Sequence, residues 1–106
     1  MREMTPQQVN EYLQDTTTKP FLLDVREPWE YNICRIEGAQ LMPMQSIPVH
    51  LSKLDPKQET IVICHHGVRS RMVAQFLEQS QFENVINLSG GVNAWSQQVD
   101  LQMPRY

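Results

Sequence analysis

Residues 60–70 read TIVICHHGVRS, an apolar run that ends at Cys64 and passes at once into a short polar loop. A continuous run of β-branched and apolar residues is typical of a strand that is buried on both faces, as the central strands of parallel sheets are. Apolar residues at helical spacing follow the loop: Met72, Val73, Phe76 and Leu77. The stretch therefore predicts a strand, a tight loop and a helix in succession.

Two similar runs lie elsewhere in the chain. Residues 21–25 (FLLDV) and, more weakly, residues 84–88 (NVINL) predict two further strands. Helical patterns separate the strands. One begins at Thr5-Pro6, with a capping box to Gln8, and another begins at Pro28. A third begins at Ser46 and includes Ile47, Leu51 and Leu54, and the last follows the turn Ser89-Gly90-Gly91. Strands that alternate with helices indicate one α/β domain over residues 1–106, with an open, mostly parallel sheet and helices on both faces.

Composition and charge exclude several classes of function. Nine Lys and Arg residues against 12 Asp and Glu give a net charge of −3, so we expect no nucleic-acid partner. No apolar run approaches the roughly 18 residues of a membrane span, so we expect no membrane partner either. The first residues lack the apolar stretch of a secretory signal, which predicts a cytoplasmic location. In a reducing compartment the two cysteines are more readily inert or reactive thiols than a disulfide framework.

The loop after the central strand has the features of an anion-binding thiol site. Backbone N–H groups in a tight loop that leads into a helix can converge on one point and bind an anion there. Such surroundings favour an ionised thiol. The residues expected to bind substrate around the Cys64 nucleophile are His65, His66, Gly67, Val68 and Arg69. A buried, inert cysteine at a strand end is the alternative, but the full Cys-x-x-Gly-x-Arg spacing favours chemistry.

Three segments together resemble the rhodanese-domain sulfurtransferases. The loop CHHGVRS (64–70) is similar to the family's active loop, LLDVRE (22–27) to its N-terminal signature, and NLSGGVNAW (87–95) to its C-terminal one. The resemblance implies a rhodanese-like open sheet. It also implies that Cys64 takes a sulfane sulfur from a small anionic donor such as thiosulfate, becomes a persulfide, and passes the sulfur to cyanide or a thiol. No metal or organic cofactor is implied.

Two other functions compete with this interpretation. The tail of residues 99–106 (VDLQMPRY) resembles that of rhodanese domains fused to enzymes that activate ubiquitin-like sulfur carriers, so a dedicated relay or docking module for a sulfur-carrier protein is the alternative. A Cys-dependent phosphatase or arsenate reductase is more distant. Those related enzymes use a Cys-x5-Arg loop, which is wider than the Cys-x4-Arg interval between Cys64 and Arg69.

Several neighbouring residues allow two interpretations. Asp24 and Arg26 follow a strand, where they either line the rim of the site or form a structural polar network as the family implies. Arg69 either orients the donor or braces the loop. The adjacent side chains of His65 and His66 are expected to diverge, with at least one in solvent, which disfavours a metal site.

The second cysteine lies in a segment that departs from the family pattern. The sequence CRIEGA (34–39) stands where the family usually has Gly-His-Ile-Pro-Gly-Ala, so the customary glycine and histidine are missing. We interpret Cys34 as a structural thiol, because a resolving role would require its sulfur to approach Cys64.

Overall fold

A parallel sheet forms the centre of the computed structural model, which describes residues 1–15, 17 and 19–106. Its five strands are β1 (Arg2–Met4), β2 (Phe21–Asp24), β3 (Gln40–Leu41), β4 (Thr60–Ile63) and β5 (Val85–Leu88). They lie in the order β1-β5-β4-β2-β3, and each adjacent pair is parallel. The predicted α/β fold with a parallel sheet is thus confirmed.

Helices cover both faces of this sheet. They are α1 (Pro6–Gln14), α2 (Pro28–Ile33), α3 (Ile47–His50), α4 (Val68–Gln79) and α5 (Gly91–Gln98), with 3-10 turns at Met44–Ser46 and Leu51–Lys53. The predicted start of α1 is confirmed, because Thr5 Oγ1 accepts from the Gln8 amide and the Gln8 side chain accepts from the Thr5 amide. Among the described residues, no helix has the length and apolar character needed to cross a membrane.

The alternation of side chains along β4 divides the core into two layers. Ile61 and Ile63 face one layer, which contains residues of α1 and α5. Val62 and Cys64 face the other, which contains residues of α3 and α4. Because β4 lies between β5 and β2, its side chains are buried on both faces, as the continuous apolar run predicted. The same position carries Cys64 to the carboxyl edge of the sheet, where three parallel strands end together.

Two edge strands were not predicted. β1 begins with Arg2 and Glu3 and is exposed along part of its length, so it lacks the apolar run that identifies a central strand. β3 has only two residues, too few for a period to appear. Both are identified as strands only by their hydrogen bonds to the neighbouring strands, β1 to β5 and β3 to β2.

The helix predicted after Ser46 is much shorter than expected. α3 spans four residues and is flanked by 3-10 turns. The Ser46 hydroxyl donates to the Pro43 carbonyl and does not cap the helix. In α4, Met72 is exposed although it belongs to the predicted apolar stripe, and Ala74 lies in the core.

Candidate active site

The loop between β4 and α4 turns the backbone toward the Cys64 sulfur. Gly67 has φ of +97°, a left-handed conformation that L side chains rarely adopt, and its amide donates to Cys64 Sγ at 3.0 Å. A Cβ at Gly67 would also lie only 3.0 Å from the Gly90 nitrogen, so the loop is packed against the β5–α5 turn. The glycine is therefore required both by the turn and by the close approach.

The start of α5 holds the other side of this loop. The Cys64 carbonyl accepts from the Val92 amide at 2.9 Å, and the His65 carbonyl accepts from the Asn93 amide at 3.0 Å. A Cβ at Gly91 would lie 2.3 Å from the Cys64 carbonyl oxygen, so only glycine allows this approach. With both carbonyls bound to α5, the backbone of the loop is held in place while the Gly67 amide donates to the sulfur. The Ser89-Gly90-Gly91 turn thus shapes the site as well as ending a strand.

The Cys64 thiol is almost completely enclosed. The residue is 1% exposed, and besides the Gly67 amide its sulfur contacts the Ser70 hydroxyl at 3.3 Å. Because α4 begins at Val68, the sulfur lies beside the amino-terminal end of a twelve-residue helix. Backbone donors and a helix amino terminus stabilise negative charge at such a point. The arrangement can therefore hold a small anion or an ionised sulfur.

Arg69 is held by a buried carboxylate on α2. Its two terminal nitrogens donate to Glu30 Oε1 at 2.6 Å and Oε2 at 2.8 Å, and Glu30 is 3% exposed. The Tyr106 hydroxyl donates to the same carboxylate at 2.8 Å. The hydrogen bonds from Arg69 lower the pKa of Glu30 to about 2 although burial opposes this. Of the two roles considered for Arg69, these contacts are those of a brace that fixes the loop to α2.

Aromatic rings form a stack beside the loop. The Tyr106 ring lies 3.9 Å from the His65 ring at an interplanar angle of 14°, and His65 lies 3.9 Å from His66. The expectation that the two imidazoles diverge was wrong, because the His66 ring lies against the His65 ring, which also stacks on Tyr106. His66 is exposed, as expected for at least one of the pair. Burial and the neighbouring His66 lower the pKa of His65, so its ring stays neutral to lower pH than usual.

A buried ion pair lies deeper than the sequence suggested. Asp24 and Arg26 have fully buried side chains and are joined at 2.7 Å. Burial alone would lower the pKa of Arg26, but hydrogen bonds with Asp24 and Tyr106 raise it above its usual value. The guanidinium also donates to the Cys34 carbonyl at 2.7 Å. The two residues do not line the rim, contrary to one expectation, because their charges are paired beneath α2 and form a structural network.

Cys34 contributes to this network through its backbone. It is buried at the end of α2, and its sulfur lies 3.9 Å from a nitrogen of Arg26. Within the described part of the chain, no three His, Cys, Asp or Glu side chains are grouped closely enough to hold a metal ion.

A second polar chain lies behind the thiol. Ser70 contacts both Cys64 Sγ and the side-chain oxygen of Asn87, and the Asn87 amide nitrogen donates to Glu3 Oε1 at 2.9 Å. Arg71 and Ser89 also donate to Glu3. Partial burial opposes ionisation of Glu3, but these three hydrogen bonds keep its pKa below the usual value.

Five residues of the site had no predicted role there: Glu30, Tyr106, Ser70, Asn87 and Glu3. Tyr106 and Glu3 lie near opposite ends of the chain, and their partners are distant in sequence. The one local signal was Asn87, a polar residue inside an otherwise apolar strand run. A polar residue that is buried within a strand needs a hydrogen-bonding partner, so its position could have indicated a polar network.

Most of this chain is similar to known proteins of one family. Residues 5–98 match the family described as Rhodanese-like domain. Rhodanese-like/PpiC domain-containing protein 12, chloroplastic, of Arabidopsis thaliana is 39% identical over 89 residues, which make up 80% of this chain and 30% of that protein. Probable adenylyltransferase/sulfurtransferase MoeZ of Mycobacterium tuberculosis is 34% identical over 105 residues, 97% of this chain and 26% of MoeZ. The chain thus spans less than a third of these two relatives.

Other similar proteins have nearly the same extent as this chain. Thiosulfate sulfurtransferase GlpE of Glaesserella parasuis is 36% identical over 93 residues, 88% of this chain and 84% of GlpE. The crystal structure of a rhodanese-like domain protein from Staphylococcus aureus superposes with a TM-score of 0.83 at 29% identity, covering 90% of this chain and 91% of that one.

Proposed function

The chain belongs to the rhodanese-like domain family, and we propose that it is a sulfurtransferase that moves a sulfane sulfur through a persulfide on Cys64. The donor is a small sulfur-containing anion such as thiosulfate, and the acceptor is cyanide or a thiol. The observation that carries the proposal is the Gly67 amide, which donates to Cys64 Sγ at the amino-terminal end of α4.

The first half of the reaction loads the enzyme. The Cys64 thiolate attacks the outer sulfur of thiosulfate, a new S–S bond forms, and the bond between the two thiosulfate sulfurs breaks with its electron pair leaving on sulfite. The negative charge then lies on the outer sulfur of the persulfide. Loop amides that favour negative charge at the thiolate also stabilise this anion, because it occupies the same side of the loop.

The second half returns the free enzyme. A nucleophilic acceptor attacks the outer sulfur, and the S–S bond breaks with its electron pair remaining on Cys64 Sγ. Arg69 stays in place in both halves of the reaction, because both terminal nitrogens of its guanidinium are hydrogen-bonded to the Glu30 carboxylate. Because the ionised Glu30 carboxylate pairs this guanidinium, the Gly67 amide and the amino-terminal end of α4 supply the favourable interaction with the anionic donor.

Enclosure of the thiol favours sulfur transfer over phosphate ester hydrolysis. With 1% of Cys64 exposed, a narrow terminal sulfur reaches Sγ more easily than a tetrahedral phosphoryl group with its substituents. The short interval between Cys64 and Arg69 acts in the same direction, because it gives fewer loop amides to surround three oxygens.

Intact-mass measurement after incubation with thiosulfate tests the proposal. We expect one added sulfur atom on the protein, none on Cys64→Ser, and the full addition on the matched control Cys34→Ser. Cyanide should then remove the added sulfur as thiocyanate. The absence of an adduct on the unmodified protein, or an adduct that persists in Cys64→Ser, would contradict the proposed activity.

A second candidate function is delivery of the sulfur to a protein acceptor. The similarity to MoeZ extends over 105 residues, and the tail places Tyr106 against His65 in the active loop. Two acceptors distinguish these functions: cyanide, and a carrier protein whose carboxyl-terminal glycine is supplied as the acyl adenylate. The persulfide displaces AMP from the carrier, and an added thiol reductant then cleaves the S–S bond to Cys64 and releases the thiocarboxylate. A faster transfer to cyanide than to the carrier would favour the small-molecule reaction.

A further inference from the structure

The hydrogen bonds behind Cys64 have a fixed direction. Glu3 is ionised at neutral pH, so its oxygen can only accept, and the Gly67 carbonyl can only accept as well. The Asn87 side chain contacts both, at 2.9 Å and 3.2 Å, and must present its NH2 group to them. Its amide oxygen therefore points the other way, toward Ser70.

This orientation decides what the Ser70 hydroxyl can do. Ser70 has one hydrogen to give, and its oxygen lies between the Asn87 amide oxygen and Cys64 Sγ. The amide oxygen only accepts, so while Cys64 is a protonated thiol the hydroxyl donates to Asn87 and the thiol donates to Ser70. Ser70 and Asn87 have no exposed surface, and Cys64 has 1%, so bulk water does not compete for these bonds.

We propose that the Ser70 hydroxyl is a two-position donor for the reacting sulfur and that Asn87 sets the balance between its positions. When Cys64 becomes a thiolate, the hydroxyl turns from Asn87 to Sγ, because a charged acceptor forms the stronger hydrogen bond. The turn leaves the Asn87 oxygen without its donor, and that loss opposes thiolate formation. Ser70 thus acts on the reacting atom, whereas Asn87 is a positioning residue that acts through it.

The inference rests on the proposed function only for its place in the reaction. When an acceptor takes the outer sulfur of the persulfide, the S–S bond breaks and the electron pair stays on Sγ. The Ser70 hydroxyl then donates a hydrogen bond to the departing thiolate and keeps its proton. No proton is transferred along the chain, since the Asn87 amide only orients its neighbour.

The thiol's response to pH tests this arrangement directly. The charged and titratable groups around Cys64 are Arg69 and Arg71 on α4, His65 and His66 in the loop, and Glu3 on β1. The informative variants, Asn87→Leu and Ser70→Ala, leave all of them in place. The rate of alkylation of Cys64 by iodoacetamide, followed by peptide mass over a series of pH values, gives a midpoint for each protein.

Asn87→Leu should lower the midpoint of alkylation by about 0.5 to 1 pH unit, the size expected when one hydrogen bond no longer favours the thiol form. In the Ser70→Ala background the same substitution should move the midpoint by less than about 0.2 unit, because the coupling runs through the hydroxyl. Ser89→Ala is the matched control. It removes another donor to Glu3 without touching the Asn87 oxygen, and should leave the midpoint unchanged.

Three results would overturn the proposal: no shift in Asn87→Leu, an upward shift, or an equal downward shift when residue 70 is alanine. The last would mean that Asn87 acts through the Gly67 carbonyl. Circular dichroism establishes that each variant is folded, and Asn87→Ala provides the same comparison if leucine does not fit. Alkylation needs no sulfur donor, so a protein that behaves as expected here but takes no sulfur from thiosulfate refutes only the proposed function.

Discussion

Replacement of Glu30 by glutamine removes the charge that holds Arg69 and leaves the shape of the side chain. The carboxylate accepts two hydrogen bonds from Arg69 and one from Tyr106, and its pKa falls from an ordinary 4.5 to about 2. We therefore expect Glu30→Gln to lower the free energy of unfolding by an amount that depends on pH.

The sign and the size of this effect on the free energy of unfolding follow from the change in the pKa of Glu30. A carboxyl group whose pKa is lower in the folded than in the unfolded protein adds stability above its unfolded pKa, and loses it as the pH falls through the folded pKa. For Glu30 this corresponds to about 3 kcal/mol near pH 7, of which about 2 kcal/mol remains near pH 3.5. Glutamine has no charge to lose, so the gap between the two proteins narrows by about 1 kcal/mol over that range.

Urea unfolding at the two pH values measures this gap. Glu37→Gln makes the same chemical change at an exposed position and should shift the free energy of unfolding by less than about 0.5 kcal/mol at either pH. A gap for Glu30→Gln that is equally large at both pH values would refute the reasoning, since it would show that packing, not charge, makes the difference. A gap as small as that of the control near pH 7 would also refute it.

Two further substitutions and one titration test other parts of the site. Gly91→Ala places a Cβ 2.3 Å from a loop carbonyl, so it should lower the free energy of unfolding by about 2 kcal/mol more than Gly38→Ala, where φ is also positive but no atom lies within 4 Å; equal losses in thermal unfolding would contradict this. Burial raises the pKa of Tyr106 to about 12, so ultraviolet titration of Tyr106→Phe against the parent protein should show that the tyrosine ionising near pH 12 has disappeared. The same variant keeps the ring but loses the hydrogen bond to Glu30, which should cost about 1 to 2 kcal/mol in urea unfolding. The imidazole of His65 should titrate below 6.5 by proton NMR, because burial disfavours its charged form, and a midpoint at or above 6.5 would contradict this.

Much of the fold follows from local pattern. The apolar runs at residues 21–25, 60–64 and 84–88 contain the three central strands, because a strand that is buried on both faces has no polar face to interrupt it. The start of α1 at Pro6 follows from a capping box between Thr5 and Gln8, which lie only three positions apart in the sequence. The exposed edge strand β1 has neither kind of signal.

The candidate active site also has one part that local sequence pattern predicted and another part that it did not. Spacing alone identified Cys64 and placed Gly67 and Arg69 in one loop, because all three lie within six residues. It assigned Arg69 no partner, since Glu30 is 39 positions away and meets it only where β2 and β4 end side by side.

The sequence by itself determined which segments are buried and which sulfur follows the central strand, since both depend on neighbours along the chain. Only the tertiary structure decided which polar groups meet that sulfur's loop. Tyr106 stacks on His65, and Glu3 orients Asn87 behind the thiol, because parallel strands bring distant segments to one edge of the sheet. A buried polar group must find a partner, but which partner it finds depends on the order of the strands and not on distance in sequence.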